Sequence, residues 1–147
     1  MSRTCKVLLV EDLDDDVVLF QRALKRHPAI KLLGPARDGD SAIAYLQGSG
    51  PYANRKDYPW PDVVVLDLKL PGRGGFDVLQ WMQGRDQRPH VAVFTSSNLP
   101  EDRKRAEDLG AILFQQKSLQ TEEIDRFLHW VQKFTELNDR QQESVSS

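Results

Sequence analysis

The chain has 147 residues, a length suited to one domain, with 39% hydrophobic residues, 29% charged residues and a net charge of −2. That balance supports an ordinary packed core, excludes a disordered polyelectrolyte and leaves no electrostatic footprint for nucleic acid. One cysteine, Cys5, excludes an intramolecular disulfide and a cysteine-held zinc, and the dispersed histidines His27, His90 and His129 lack metal-ligand spacing.

The chain opens with CKVLLVED, a short apolar run that reads as a first strand stopping on Glu11 and Asp12. The run is shorter than the ~7–15 apolar residues of a secretory signal. No stretch approaches the roughly 18 residues of a membrane span, so a cytoplasmic location without membrane contact is expected. In DLDDDVVLFQRALKRH, Val17, Phe20 and Leu24 recur at helical spacing. Asp14, Asp15 and Asp16 at the start of that helix, and Lys25, Arg26 and His27 at its end, suit the helix dipole. IKLLGPARD reads as a second strand. GDSAIAYLQGSG reads as a second helix with Ala42, Ile43 and Leu46 inward, stopped at Gly48 or Gly50.

Residues 48–61, GSGPYANRKDYPWP, read as a long loop, with the Trp60 ring lying over an edge of the core. Asp62 to Asp67 form the third strand: four apolar residues, Val63 to Leu66, run up to a carboxylate. Phe76, Leu79 and Met82 then mark a third helix from roughly Gly75 to Gln83. HVAVFTSS is a fourth strand, LPEDRKRAEDLG a charged fourth helix and AILFQQKS a fifth strand. Thr121 to Leu137 form the last helix, with Ile124, Phe127, Leu128, Val131 and Phe134 inward. Residues 138–147 are expected to be a frayed polar tail beyond a domain spanning 1–137.

Alternating strands and helices predict an α/β fold, a doubly wound parallel sheet with helices on both faces. Strands buried on both sides should be continuously apolar, as these are. In such a sheet the strand ends share one edge, where ligands bind. Topology therefore gathers Glu11, Asp12, Asp67, Thr95 and Lys117 there. A strand-end Asp alone is usually a turn or cap residue, and a lone lysine an ordinary surface group; the set is the signal. Three close carboxylates repel one another, and an all-oxygen acidic site suits Mg²⁺. A carboxylate can also take a phosphoryl group, with Lys117 and the Thr95 hydroxyl neutralising its oxygens. No base for activating water is evident, which suits a phosphoryl group that is stored.

VLLVEDLDDD, VVVLDLKLPGRGGFDVL, VFTSS and LGAILFQQK resemble, in order and spacing, the CheY-like receiver domain of two-component response regulators, over about Lys6 to Val131. The long loop before the third strand and FTSSN are most similar to stand-alone receivers paired with bacterial phytochrome kinases. The resemblance implies a flavodoxin-like five-stranded sheet of order 2-1-3-4-5. It implies Asp67 as phosphoacceptor, and Mg²⁺ held by Glu11, Asp12, Asp67 and the backbone carbonyl of Lys69. Thr95 and Lys117 would bind the phosphoryl group, with Thr95 and Phe114 as the switch pair. The phosphoryl group would come from a sensor histidine kinase or phosphotransfer protein, and the output would be a protein contact, with no enzymatic turnover beyond slow self-dephosphorylation. A homodimer through the fourth helix, fifth strand and fifth helix is expected, because the fifth helix carries Trp130 and Phe134 beside the charged fourth helix.

Three positions depart from the family pattern. Glu11 replaces the commoner Asp, and Phe114 lacks a tyrosine hydroxyl, so a switch there works by packing. Ser118 stands where the family carries proline after the lysine. A cis peptide is cheap only before proline, costing roughly 2.5–4 kcal/mol elsewhere. A trans Lys117–Ser118 bond is therefore expected, and with it a Lys117 ammonium drawn away from the phosphoryl position and slower phosphorylation than in a proline-bearing receiver. Two other readings use the same residues. A haloacid dehalogenase-type phosphohydrolase has a strand-end Asp nucleophile but needs an acid–base Asp two residues later, where this chain has Lys69. A degenerate receiver would act as an unphosphorylated interaction module.

Overall fold

The computed structural model describes residues 4–146, with side chains described through residue 136. Its elements are β1 (Cys5–Val10), α1 (Asp14–Leu24), β2 (Ile30–Ala36), α2 (Gly39–Gln47), a 3-10 turn (Gly50–Tyr52), β3 (Val63–Leu66), α3 (Gly75–Met82), β4 (His90–Thr95), α4 (Pro100–Asp108), β5 (Leu113–Gln116) and α5 (Thr121–Ser146). The strands form one parallel sheet of order β2-β1-β3-β4-β5, the CheY-like α/β arrangement. β1 and β4 flank β3, so the central strand is covered at both edges and on both faces.

Alternation along the strands builds two cores. Val64, Leu66, Leu8, Val10 and Val93 pack under α2 and α3 with Leu46, Val78, Leu79 and Met82. Val63, Val65, Val7, Leu9 and Phe94 pack under α1 and α5 with Val17, Phe20, Ile124, Phe127, Leu128 and Val131. Val63 to Leu66 are all fully or almost fully buried. Each such side chain contributes roughly 1.5–3 kcal/mol of burial. Register then sets the functional edge: Val10, Leu66, Val93 and Phe114 form one row across the sheet. Glu11 and Asp67 each stand one residue beyond that row.

Several boundaries differ from the sequence reading. α5 continues to Ser146 where the pattern placed its end at Leu137. The stretch NDRQQESVS holds neither Pro nor Gly, and Gln, Glu and Arg favour helix, so no residue there stops it. The 48–61 loop contains the 3-10 turn and is ordered by tyrosines: Tyr45, Tyr52 and Tyr58 contact one another, and the Tyr45 hydroxyl donates to the Pro59 carbonyl at 2.8 Å. Trp60 is half-buried, with the Arg55 guanidinium 5.3 Å from its ring centre.

Candidate functional site

The edge where β1, β3, β4 and β5 end carries the polar groups expected there. Glu11 follows β1 directly and is buried. Its Oε2 accepts the Asp12 and Leu13 amides at 3.0 and 3.4 Å, which fixes the turn into α1, and its Oε1 lies 2.5 Å from Lys117 Nζ. Asp67 follows β3 and is buried; its Oδ1 accepts the Lys69 amide at 3.1 Å and its Oδ2 accepts Lys117 Nζ at 3.0 Å. Asp12 is partly buried, and its Oδ1 is buried without a hydrogen-bond partner. Glu11, Asp12 and Asp67 each offer a carboxylate oxygen, all within 4.8 Å of one another.

A buried, unpartnered carboxylate oxygen is costly, because water is lost and nothing replaces it. Placed beside two further carboxylates, it fits a hard divalent cation bound through oxygen. The charge balance agrees. Burial, with help from the neighbouring Asp67 charge, raises the Glu11 pKa to about 7 against the opposing Lys117 contact. Burial disfavours the Lys117 ammonium, but hydrogen bonds to Asp16, Glu11 and Asp67 outweigh it and hold its pKa above the usual lysine value.

Thr95 is fully buried at the end of β4, and its Oγ1 accepts the Ser97 amide at 3.4 Å. Its carbonyl accepts the Lys117 amide at 2.7 Å, tying the ends of β4 and β5 together. Ser97 in turn donates to Asp102 Oδ2 at 2.6 Å and accepts the Leu99 amide at 3.3 Å, which sets the entry into α4. Phe114 is half-buried on β5, with the Arg103 guanidinium of α4 5.8 Å from its ring centre. The Lys69 side chain is exposed; its amide faces Asp67.

Gly75 explains the sharp turn after Asp67. A Cβ at that position would stand 2.4 Å from the Asp67 carbonyl oxygen and 2.6 Å from Leu68 Cα. Only glycine lets α3 begin against the strand end, and the Gly75 amide donates to the Leu68 carbonyl at 3.2 Å. The cis peptide among the described residues is Gly34–Pro35, so the Lys117–Ser118 bond is trans, as expected for serine. The expected displacement of the lysine does not follow: Nζ stays 3.0 Å from Asp67. The reason is side-chain anchoring. Three carboxylates hold the ammonium, one of them Asp16 of α1 at 2.7 Å. Asp16 was legible only as an acid suited to a helix start. Helical phase picks it out of its triplet: it lies one turn before the buried Phe20, whereas Asp14 and Asp15 are exposed.

Among the described residues no helix is long and apolar enough to cross a membrane. Residues 7–129 match the response regulator receiver domain. Response regulator Rcp1 of Synechocystis sp. is 33% identical over 130 residues, covering 87% of this chain and 86% of that protein. The Mn(2+)-bound structure of Rcp1 superposes with a TM-score of 0.73 at 32% identity, over 88% of this chain and 90% of that one. The phosphorylated cyanobacterial phytochrome response regulator RcpA gives a TM-score of 0.74 at 30% identity, over 89% and 93% of the two chains. The bacteriophytochrome response regulator AtBRR gives 0.71 at 35% identity, over 86% and 91%. These likenesses, in sequence and in fold, set aside the haloacid dehalogenase reading. The chain belongs to the response regulator receiver domain family.

Proposed function

We propose that this chain accepts a phosphoryl group on Asp67 from a sensor histidine kinase or phosphotransfer protein, in a Mg²⁺-dependent reaction, and passes the signal on through protein contacts. The observation that carries this reading is the meeting of Glu11, Asp12 and Asp67 within 4.8 Å of one another beside Lys117. The likeness to the phytochrome response regulator RcpA and the bacteriophytochrome response regulator AtBRR favours a phytochrome-type kinase as donor.

In the transfer, an Asp67 oxygen attacks phosphorus, an O–P bond forms, and the P–N bond of the donor phosphohistidine breaks to release imidazole. A carboxylate has about four lone-pair positions, so Asp67 can keep its Lys69 and Lys117 bonds and still attack. Glu11, Asp12, Asp67 and the Lys69 carbonyl would hold Mg²⁺, which supplies charge neutralisation to the phosphoryl oxygens when bound. Lys117 pairs with the phosphoryl group and the Thr95 hydroxyl donates to it. As Thr95 moves towards the phosphoryl group, the Phe114 ring follows by packing, because it has no hydroxyl. Lys69 occupies the place where a phosphatase of the dehalogenase type needs a second carboxylate, so the product is held rather than turned over. The α4–β5–α5 face carries the readout and a homodimer contact, in the cytoplasm.

Acetyl phosphate is the simplest donor for a test. Intact-mass measurement should show one added phosphoryl group with Mg²⁺ and none with EDTA. A chain that stays unlabelled under both conditions would favour the unphosphorylated interaction module.

A further inference from the structure

We propose that Asp16 is the positioning residue for Lys117, an anchor on α1 that keeps the ammonium at the site when Glu11 and Asp67 are engaged elsewhere. The proposal rests on the reading that Lys117 pairs with a phosphoryl group on Asp67.

The ammonium has three N–H donors, and the structure supplies three carboxylates: Glu11 at 2.5 Å, Asp16 at 2.7 Å and Asp67 at 3.0 Å. Two of these belong to the Glu11–Asp12–Asp67 cluster that would hold the cation. Asp16 does not. Once a cation and a phosphoryl group draw on Glu11 and Asp67, Asp16 is the carboxylate still free to hold Lys117. The contact spans 101 residues of sequence and joins the first turn of α1 to the end of β5. Its two side chains are 26% and 14% exposed, which shields the pair from much of the screening that weakens surface ion pairs.

The backbone gives Lys117 little other support on its far side. Ser118 provides no ring to stiffen the loop. Leu119 is 86% exposed, and the loop is held by the Gln120 amide on Ser118 Oγ at 3.0 Å. Asp14 cannot substitute for Asp16, because it is exposed and bonded to Arg37 at 2.6 Å. Asp16 thus restores by a side-chain contact the placement that the missing proline would otherwise assist.

The experiment uses the full chain, selectively labelled with ¹⁵N at lysine, as wild type, Asp16→Asn and Asp16→Glu. The Lys117 Nζ signal should be resolved and slowly exchanging in the wild type. It should broaden or vanish in Asp16→Asn and return in Asp16→Glu. With acetyl phosphate and Mg²⁺, the labelling rate of Asp16→Asn should fall about threefold to tenfold, with partial rescue by Asp16→Glu, as expected for loss of one partly buried charge-assisted contact. Mg²⁺ affinity should change less than about threefold, since Asp16 is outside the cation cluster. An Asp16→Asn variant with an unchanged Lys117 signal and unchanged labelling would overturn the proposal. A loss of Mg²⁺ affinity equal to that of Asp12→Asn would overturn it too, by making Asp16 a metal ligand. If the wild type takes no label at all, the phosphoacceptor reading fails, while the Lys117 signal still decides whether Asp16 anchors it.

Discussion

Replacing Gly75 by alanine should destabilise the protein and disturb Asp67 together. The added Cβ would stand 2.4 Å from the Asp67 carbonyl oxygen, where ordinary contact begins at 3.4 Å, so about 1 Å of separation must be found between α3 and the strand end. Both partners are backbone, and neither can swing aside as a side-chain tip could. Overpacking of this kind costs typically about 1–3 kcal/mol. Stretching the 3.2 Å hydrogen bond from the Gly75 amide to Leu68 adds about 1 kcal/mol. The better helix propensity of alanine returns roughly 0.5–1 kcal/mol. The net loss is about 1–3 kcal/mol, measurable by urea unfolding, and the labelling rate with acetyl phosphate should fall with it. Gly74→Ser is the matched control. Its nearest contact would be Leu68 O at an ordinary 3.7 Å, and serine is a favoured residue at this N-cap, where the Gly74 amide already meets Asp77 Oδ2 at 3.1 Å. A Gly75→Ala protein within about 0.5 kcal/mol of wild type, the range of ordinary surface changes, would refute the close-approach reasoning.

Other expectations concern single groups. Asp12→Asn should lower Mg²⁺ affinity at least about tenfold. It should also raise the melting temperature of the Mg²⁺-free protein, because the unpartnered Oδ1 no longer belongs to a charged group; calorimetric titration and a thermal melt check the two halves. His90 has its pKa lowered by burial and by Arg88, against the pull of Asp62. The unfolded chain therefore takes up the proton first as pH falls below about 6.5, and stability drops. Glu11 acts oppositely, its raised pKa favouring the folded state as pH falls from about 7 towards 4.5. The comparison is thus between variants: His90→Gln should lose less stability than wild type between about pH 7 and 5, and identical slopes would remove the His90 assignment. On the α4–β5–α5 face, where Trp130 is 49% exposed, a homodimer that tightens with beryllofluoride and Mg²⁺ is expected. Light scattering that finds a monomer with and without them would exclude it.

The fold was legible because the inner strands β1, β3 and β4 announce themselves by burial on both faces, while the edge strands β2 and β5 are partly exposed. Val63 to Leu66 could be nothing but a central strand, and parallel topology then placed Glu11, Asp12, Asp67, Thr95 and Lys117 on one edge. What the pattern could not give was side-chain reach. The trans bond before Ser118 was foreseen from the cost of the cis isomer, yet the flexible lysine side chain reaches Asp67 regardless, drawn by three carboxylates. Asp16 looked like one of three equivalent acids, and only the phase set by Val17 and Phe20 distinguishes it. Gly75 appeared as a helix start, while its closeness to Asp67 is a contact between backbones, which composition does not record. The end of α5 was misplaced because apolar periodicity stops before the helix does.

The central claim is that Asp67 itself becomes phosphorylated. The direct measurement is intact mass, followed by peptide mapping, of wild type and Asp67→Asn after acetyl phosphate and Mg²⁺. Asp67 is buried and bonded to Lys117 and to the Lys69 amide, so asparagine fits the same space without an anionic nucleophile. The account predicts one phosphoryl group on the wild-type peptide that contains Asp67, and none on Asp67→Asn. Label that persists in Asp67→Asn, or maps to another peptide in the wild type, would contradict it.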